Sequence, residues 1–372
     1  MQTEAAEAKR SFQAQAEVAV ADPETLIAQV FEHLVEHGAE ITPIEQGSSA
    51  TFFLGEVSMQ ARPNNLLMRV KADDETGLAF MKSLAARHLI EFVEGERPRF
   101  AWTGDGVGLS QFPNFREMTV ERIIEVTPHM RRITLSGSDL GRYATHGPHL
   151  MLFVPPEDIA EPEWPVPGED GLPIWPVDAK RPQVRTYTVR NLDLKAGTID
   201  VDFVVHGDHG VGSRWALNAR PGDVIGVRGP TGRSRPEADW YLLVGDETAL
   251  PVIFRTLESL PVQAKGVAII EVSDESEQQP TSFNADVEIR WLHRNGKEPG
   301  TTSLLVDAVR AVEMPPTGTR IYAMAGVEYA AFNAIRRYWQ DELQLNKKDI
   351  LPVAYWRRGR AEGETAPDDK PY

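Results

Sequence analysis

The sequence contains no cysteine. That absence excludes disulfides, thiol nucleophiles, cysteine-ligated iron–sulfur clusters and haem attached through CxxCH, so any redox chemistry must use a cofactor held without cysteine. No run approaches about 20 uninterrupted apolar residues, and the start, MQTEAAEAKRSFQAQAEV, lacks the charged-then-apolar order of a secretory signal. Membrane insertion is therefore not expected, and a cytoplasmic location is the default. Positive charge is also scarce. Lys and Arg number 39 against 55 Asp and Glu, a formal charge of -16, which repels nucleic acid and anionic membrane surfaces and disfavours both as partners. No metal-ligand spacing is assigned.

At 372 residues the chain is too long for one ordinary core, and its texture changes along its length as a multidomain α+β and α/β protein should. Residues 1–21 are polar and Ala/Glu/Gln-rich and are expected to form a loose tail. Residues 22–107 read as a small α+β domain. In it, Asp22 caps a helix with Pro23 in the first turn, Leu26, Ile27, Val30, Phe31, Leu34 and Val35 on one face, and Gly38 as the stop. Short alternating runs follow, then a second amphipathic helix from about Glu75 to Phe92. Residues 115–236 are rich in short β-branched runs bounded by turns, the pattern of a small antiparallel β-barrel. Between Pro155 and Pro182 a Pro-rich acidic connection, unable to donate a regular ladder, is expected to be a covering loop. Residues 237–360 alternate strand and helix, which implies a parallel sheet with its site at the carboxyl ends of the strands. Residues 361–372 are a polar tail.

The sharpest local pattern is RTYTVR, Arg185 to Arg190, followed by VDFVVHGDHGVGSRWA. Alternation along a strand puts Arg185 and Tyr187 on one face and Thr188 on the other. That set suits a flavin, with an aromatic ring for the isoalloxazine, a guanidinium for the pyrophosphate and a hydroxyl or amide for the ring edge. Gly210, Val211, Gly212 and Ser213 then head a helix whose N–H groups can meet the same pyrophosphate. Each piece alone is common on ordinary barrels; the pairing, ahead of a βαβ domain, is specific.

On these residues, together with PGDVIGVRGPTG, WYLLVGDETALP and YWRRG, the region from Phe115 to Gly359 resembles the siderophore-interacting protein family, flavin-dependent ferric-siderophore reductases of the ferredoxin reductase superfamily. The resemblance implies a FAD-binding barrel and a C-terminal nicotinamide-binding domain. It implies Tyr187 and Thr188 at the reacting flavin, and Arg185, Tyr187, Thr188, Val189, His206, Gly210, Val211, Gly212 and Ser213 in the FAD site, supported by Trp215. For NADH or NADPH it implies the turn bearing Gly245, Glu247, Thr248 and Pro251, which lacks a GxGxxG fingerprint, and for the cofactor region the tail aromatics Tyr355 and Trp356. The implied activity carries electrons from NAD(P)H through FAD to the iron of a ferric siderophore or similar chelate. Two alternatives stay open: the same flavoprotein fed by ferredoxin, disfavoured by the acidic charge, and a siderophore- or flavin-binding protein without turnover.

The chain departs from the resemblance where a polyanionic chelate would need cations. The three positions that carry basic residues in the family align with Met151, Thr231 and Asn333. Arg233 and Arg336 are the candidate replacements, with Arg337 and Arg132 nearby, and a less anionic chelate such as a hydroxamate is favoured. The acidic strand end at Glu271, Val272, Ser273 and Asp274 tilts the donor toward NADH.

Overall fold

In the computed structural model the described residues are 11–36, 39–145, 147–157, 159, 161–205, 210–232 and 235–360. They fall into two compact units. Among the described residues, the first comprises 11–115 and 163–181; the second comprises 116–162 and 182–360.

The first unit contains β1 (Phe12–Ala19), α1 (Pro23–Glu36), β2 (Glu40–Ile44), β3 (Gly47–Phe52), β4 (Gly55–Arg62), β5 (Asn65–Ala72), α2 (Glu75–Phe92) and β6 (Thr103–Gly104). The sheet order is β2-β3-β4-β5-β1-β6. Residues 12–19, expected to lie in a loose tail, are thus an interior strand. Ala14, Ala16 and Val18 alternate into the core, and β1 pairs antiparallel with β5 over its full length. Apolar Ala and Val at every second position carry the strand, although the segment is polar on average. α1 begins at an Asp22 cap, whose Oδ1 accepts from Thr25 N–H at 3.1 Å, and α2 at Asp74, which accepts from Gly77 N–H at 2.7 Å. Leu26, Ile27, Val30, Phe31 and Leu34 are buried as the periodicity requires, but Val35 is 56% exposed. Gly38, the expected stop, lies outside the described residues.

The Pro-rich connection, expected to be a covering loop, belongs to this same unit from Glu163 to Arg181. It forms a hairpin of β10 (Val166–Pro167) and β11 (Pro173–Ile174). Proline removes donors but leaves carbonyls, and those are what the unit uses. Trp102 Nε1 donates to Asp170 O at 2.9 Å, Ser83 Oγ to Gly171 O at 2.6 Å, and the Arg97 guanidinium meets the Asp170 carboxylate at 2.7 Å.

The second unit opens with β7 (Phe115–Thr127), β8 (Met130–Ser136), the short helix α3 (Arg142–Thr145) and β9 (His149–Val154), and after β10 and β11 resumes with β12 (Gln183–Asp193), β13 (Thr198–Val204), α4 (Val211–Asn218) and β14 (Val224–Thr231). The six strands β12-β13-β8-β7-β14-β9 close a barrel, which leaves no exposed sheet edge. Its interior is filled by Ile133, Leu150, Leu152, Val201, Ile225 and Val227, none more than 0% exposed. Then come β15 (Trp240–Gly245), α5 (Leu250–Glu258), β16 (Lys265–Val272), β17 (Asp286–His293), α6 (Leu304–Arg310), β18 (Ile321–Glu328), α7 (Tyr329–Arg337) and β19 (Ile350–Trp356), a five-stranded parallel sheet in the order β17-β16-β15-β18-β19.

Specific polar contacts bind barrel to sheet. Arg255 on α5 donates to Val189 O at 2.8 Å and Tyr143 O at 2.7 Å. Arg190 on β12 makes a two-pronged ion pair with Glu258, at 2.8 and 2.6 Å. Glu277, 2% exposed, accepts from Thr127 Oγ1 at 2.5 Å and from His129 N–H at 3.0 Å. Charge-assisted bonds at buried groups lose much when one partner is removed, so they define the register of the two domains.

Candidate functional site

The RTYTVR segment is the middle of β12, paired antiparallel with β9: Arg185 lies opposite Leu152, Thr186 opposite Met151, Tyr187 opposite Leu150 and Thr188 opposite His149. Cross-strand partners share a face. Arg185 and Tyr187 therefore sit on the face of the core leucines, and Thr186 and Thr188 on the other face with Met151 and His149. The Tyr187 ring packs against Phe203 at 4.4 Å between centroids, and Phe203 against Trp215 of α4 at 5.5 Å. Trp215 is thereby a support of the tyrosine. Val189 is 0% exposed inside the barrel, its N–H bonded to Pro148 O and its carbonyl to Arg255. Its side chain is part of the barrel core.

α4 brings its first turn against Tyr187. A Cβ placed on Gly212 would lie 2.1 Å from the Tyr187 hydroxyl, so only glycine permits this approach. The cap residue Gly210 has φ 89° and carries no side chain with which to cap the helix. The amides of Val211, Gly212 and Ser213 open the helix, at the end that favours an anion. Arg185 donates to Val184 O at 2.7 Å and contacts Gln183 Oε1 at 3.4 Å, with no carboxylate on it among the described residues. A guanidinium, a glycine-bearing helix start and a tyrosine held by packing fit a flavin dinucleotide. His206 lies outside the described residues.

Sequence reasoning missed His149. Thr188 Oγ1 is 3.2 Å from its Nδ1, and the Tyr355 hydroxyl of β19 is 3.4 Å from its Nε2, with the two rings edge-to-face. Burial and the nearby Arg255 guanidinium push the imidazole down to about 4, so it is neutral at pH 7 and bridges the barrel strand and the tail strand. Its only sequence signal was a histidine opening the β9 run.

Tyr355 and Trp356 stand at the carboxyl end of β19, where strand ends of a parallel sheet form the site. A Cβ on Gly326 would lie 2.8 Å from the Tyr355 ring, which explains a glycine at that strand end. Burial pushes the Tyr355 phenol up. Trp356 Nε1 donates to Asp246 Oδ2 at 2.8 Å, while Asp246 Oδ1 accepts from Thr248 N–H and Oγ1 at 2.9 and 2.5 Å. Burial, with Glu247 beside it, raises Asp246 to about 6. The Glu247 carboxylate points inward to Arg294, at 3.0 and 2.5 Å, and Arg294 also faces Glu271 at 3.5 Å. Thr302 Oγ1 donates to Glu271 at 2.8 Å. Gly245 packs under Ala249, where a Cβ would come within 2.5 Å. Glu247, Thr248 and Gly245 thus build the turn, and the carboxylate of Glu247 is spent on Arg294.

The positions lacking basic residues lie on the barrel's outer row and on α7. Met151 is opposite Arg228 on β14, and Thr231 is opposite His149; Asn333 donates to Tyr329 O at 3.0 Å. Arg228 is therefore a cation in the row of Met151 and Thr186, and the register finds it where sequence alignment did not. Arg336 stacks over Phe332 at 5.3 Å. Arg132 is held by buried Asp202 at 2.6 and 2.8 Å, and Arg233 lies outside the described residues.

A closed six-stranded barrel, with a glycine-bearing helix start against its RTYTVR strand, is followed by a five-stranded parallel sheet. Residues 119–234 match the siderophore-interacting FAD-binding domain and residues 238–359 the siderophore-interacting protein domain, and the chain belongs to the siderophore-interacting protein family. Residues 15–103 match a family described as an uncharacterized protein conserved in bacteria (DUF2218). The chain is 32% identical over 241 residues to the ferric vibriobactin reductase ViuB of Vibrio cholerae, covering 64% of this chain and 87% of that protein. It is 31% identical over 249 residues to the NADPH-dependent ferric-chelate reductase of Escherichia coli, covering 65% and 92%. Among solved structures it is similar to a siderophore utilization protein from T. fusca, with 40% identity, a TM-score of 0.60 and coverage of 66% of this chain and 94% of that one.

Proposed function

We propose that this chain is a FAD-dependent reductase that takes electrons from a reduced nicotinamide and delivers them to the Fe(III) of a siderophore or similar chelate, releasing Fe(II). The observation that carries this reading is the path Thr188–His149–Tyr355. It joins the flavin-fitting strand of the barrel to the strand end where a nicotinamide would lie. FAD, when bound, supplies the exchange between two-electron hydride chemistry and one-electron reduction of iron. In this reading Arg185 and the amides of Val211, Gly212 and Ser213 bind the pyrophosphate, Tyr187 and Thr188 orient the ring, and Tyr355 and Trp356 exclude water from it. No nucleophile is required. One reduced nicotinamide gives two electrons and so reduces two Fe(III). The names of the Vibrio cholerae and Escherichia coli relatives support the reaction class.

Arg228 and Arg336, with Arg233, supply the positive charge for the chelate, and the neutral residues Met151, Thr231 and Asn333 favour a hydroxamate over a polyanionic catecholate. The donor is NADH, because Arg294 at the β17 strand end is held by Glu247 and Glu271 and is not available to a 2′-phosphate. The protein acts in the cytoplasm, where reduced nicotinamide is present.

The test is an anaerobic absorbance spectrum of the FAD-loaded protein, before and after NADH or NADPH and then a ferric hydroxamate. Bleaching by the nicotinamide, recovery with the chelate and two Fe(II) per nicotinamide are expected, with NADH faster. A protein that takes up no FAD, or whose FAD neither donor bleaches, would overturn the reading.

A further inference from the structure

None of the residues given a part in that reaction lies in the N-terminal unit, which gathers three side chains of metal-binding type. His33 lies in the last turn of α1. His88 and Glu91 lie near the end of α2, three residues apart and so on one face of the helix. The packing of α1 and α2 brings the two imidazoles edge-to-face, 5.1 Å between centroids. His88 Nδ1 is 3.3 Å from Glu91 Oε2. One ligand atom from each of the three residues lies within 4.8 Å of the others.

These separations suit one ion. With bonds of about 2.0–2.1 Å, ligand atoms around a tetrahedral zinc stand roughly 3.3 Å apart. The His88–Glu91 edge already has that length. His33 needs a shift of roughly 1–1.5 Å to complete the triangle, within the reach of its side-chain torsions. Leu34 and Leu89, both 0% exposed, anchor the backbone beside the two histidines, and Phe92 meets the His33 ring at 5.4 Å. Glu91 is exposed, its side chain 41% accessible, which leaves a path from solvent. The last turn of α1 adds the partial negative charge of a helix C-terminus.

We propose that His33, His88 and Glu91 bind a divalent transition-metal ion. Two imidazoles and one carboxylate are the donor set of zinc and of non-haem ferrous sites, with the remaining positions left to water. The site is independent of the flavin and of the reductase reading, so the two can fail separately.

Zinc is the appropriate probe, since a site of this kind holds Zn(II) more tightly than Fe(II). Full-length protein stripped with a chelator is titrated with Zn²⁺ by calorimetry and with Co²⁺ by visible absorption. One equivalent is expected on the wild type, with cobalt bands of a four- or five-coordinate site. His33→Ala and Glu91→Gln each weaken the binding at least tenfold and alter the cobalt spectrum, while circular dichroism and FAD uptake stay unchanged. His88→Ala gives the same loss, and because His88 is buried, the two more exposed positions keep the test valid if that variant does not fold. Absence of a titratable equivalent, or zinc binding that His33→Ala and Glu91→Gln leave unchanged, would overturn the proposal.

Discussion

The turn that opens α4 and the turn that opens α5 are both glycine-bearing entries to a helix, and they are furnished in opposite ways. The α4 turn has a glycine, Gly210, as its cap residue, and a second glycine, Gly212, lies against Tyr187. The α5 turn is saturated from within: Asp246 accepts from Thr248 and Trp356, and Glu247 is locked to Arg294. A turn whose cap residue is a glycine lets an anion come close to its backbone donors. One whose carboxylates are buried and bonded is shaped by its own charges, and offers a ligand its backbone and the aromatic rings beside it. On the proposed reading, the barrel side holds a phosphate tightly and the sheet side is a surface that a mobile dinucleotide visits and leaves.

The contrast is tested most severely at Arg294. Arg294→Met leaves two carboxylates, Glu247 and Glu271, with side chains at most 9% exposed and without their cation, which typically costs about 3–5 kcal/mol. Urea unfolding should show that loss, and a change below about 1 kcal/mol would mean that the α5 turn is not held by its charges. Gly212→Ala attacks the other side. The new methyl collides with the Tyr187 hydroxyl, while alanine within a helix gains up to about 1 kcal/mol over glycine. FAD affinity should fall at least tenfold with little loss of stability, read from flavin retained through gel filtration. If flavin is retained, the α4 turn is not its seat.

Acidity separates the two sides next. His149, held down to about 4, is neutral in the folded protein where the unfolded chain binds a proton, so its contribution to stability rises with pH from about 4 to 6.5. Asp246, raised to about 6, binds a proton in the folded protein that the unfolded chain has lost, so its contribution falls as pH rises from about 3.8 to 6. The two slopes oppose each other in nearly one window, each on the order of 1–3 kcal/mol. Wild-type stability should therefore be flat there, with a falling slope exposed by His149→Gln and a rising one by Asp246→Asn in denaturant series at pH 4 to 7. The smallest effect is expected from Trp356→Phe. Removing the bond to Asp246 costs about 1 kcal/mol and raises the Asp246 carboxyl further, which moves the falling limb exposed by His149→Gln to higher pH.

Much of this was legible beforehand, because the barrel strands alternate and the parallel strands are continuous apolar runs, two patterns that depend only on which faces are buried. α2 begins and ends where its periodicity placed it. β1 was missed because its buried positions are mostly alanine, too small to mark a strand amid Gln and Glu. The Pro-rich hairpin was read only as a covering loop because its contribution is made through carbonyls, which every residue has and no sequence displays. The side chain of Val189 lies in the barrel core. His149, Arg228 and Arg294 act through partners more than 20 residues away, and no local pattern encodes such pairs.

The hairpin has a practical consequence for anyone who cuts this protein. The N-terminal unit is assembled from two separate stretches of chain, with Trp102 and Ser83 bonded to Asp170 and Gly171. One protease nick after Gly106 would leave the first fragment clasped to a ribbon that belongs to the second. Release needs a second and a third cut, on either side of residues 163–181, and a clone stopped at residue 107 would lack a piece of the object it was meant to isolate.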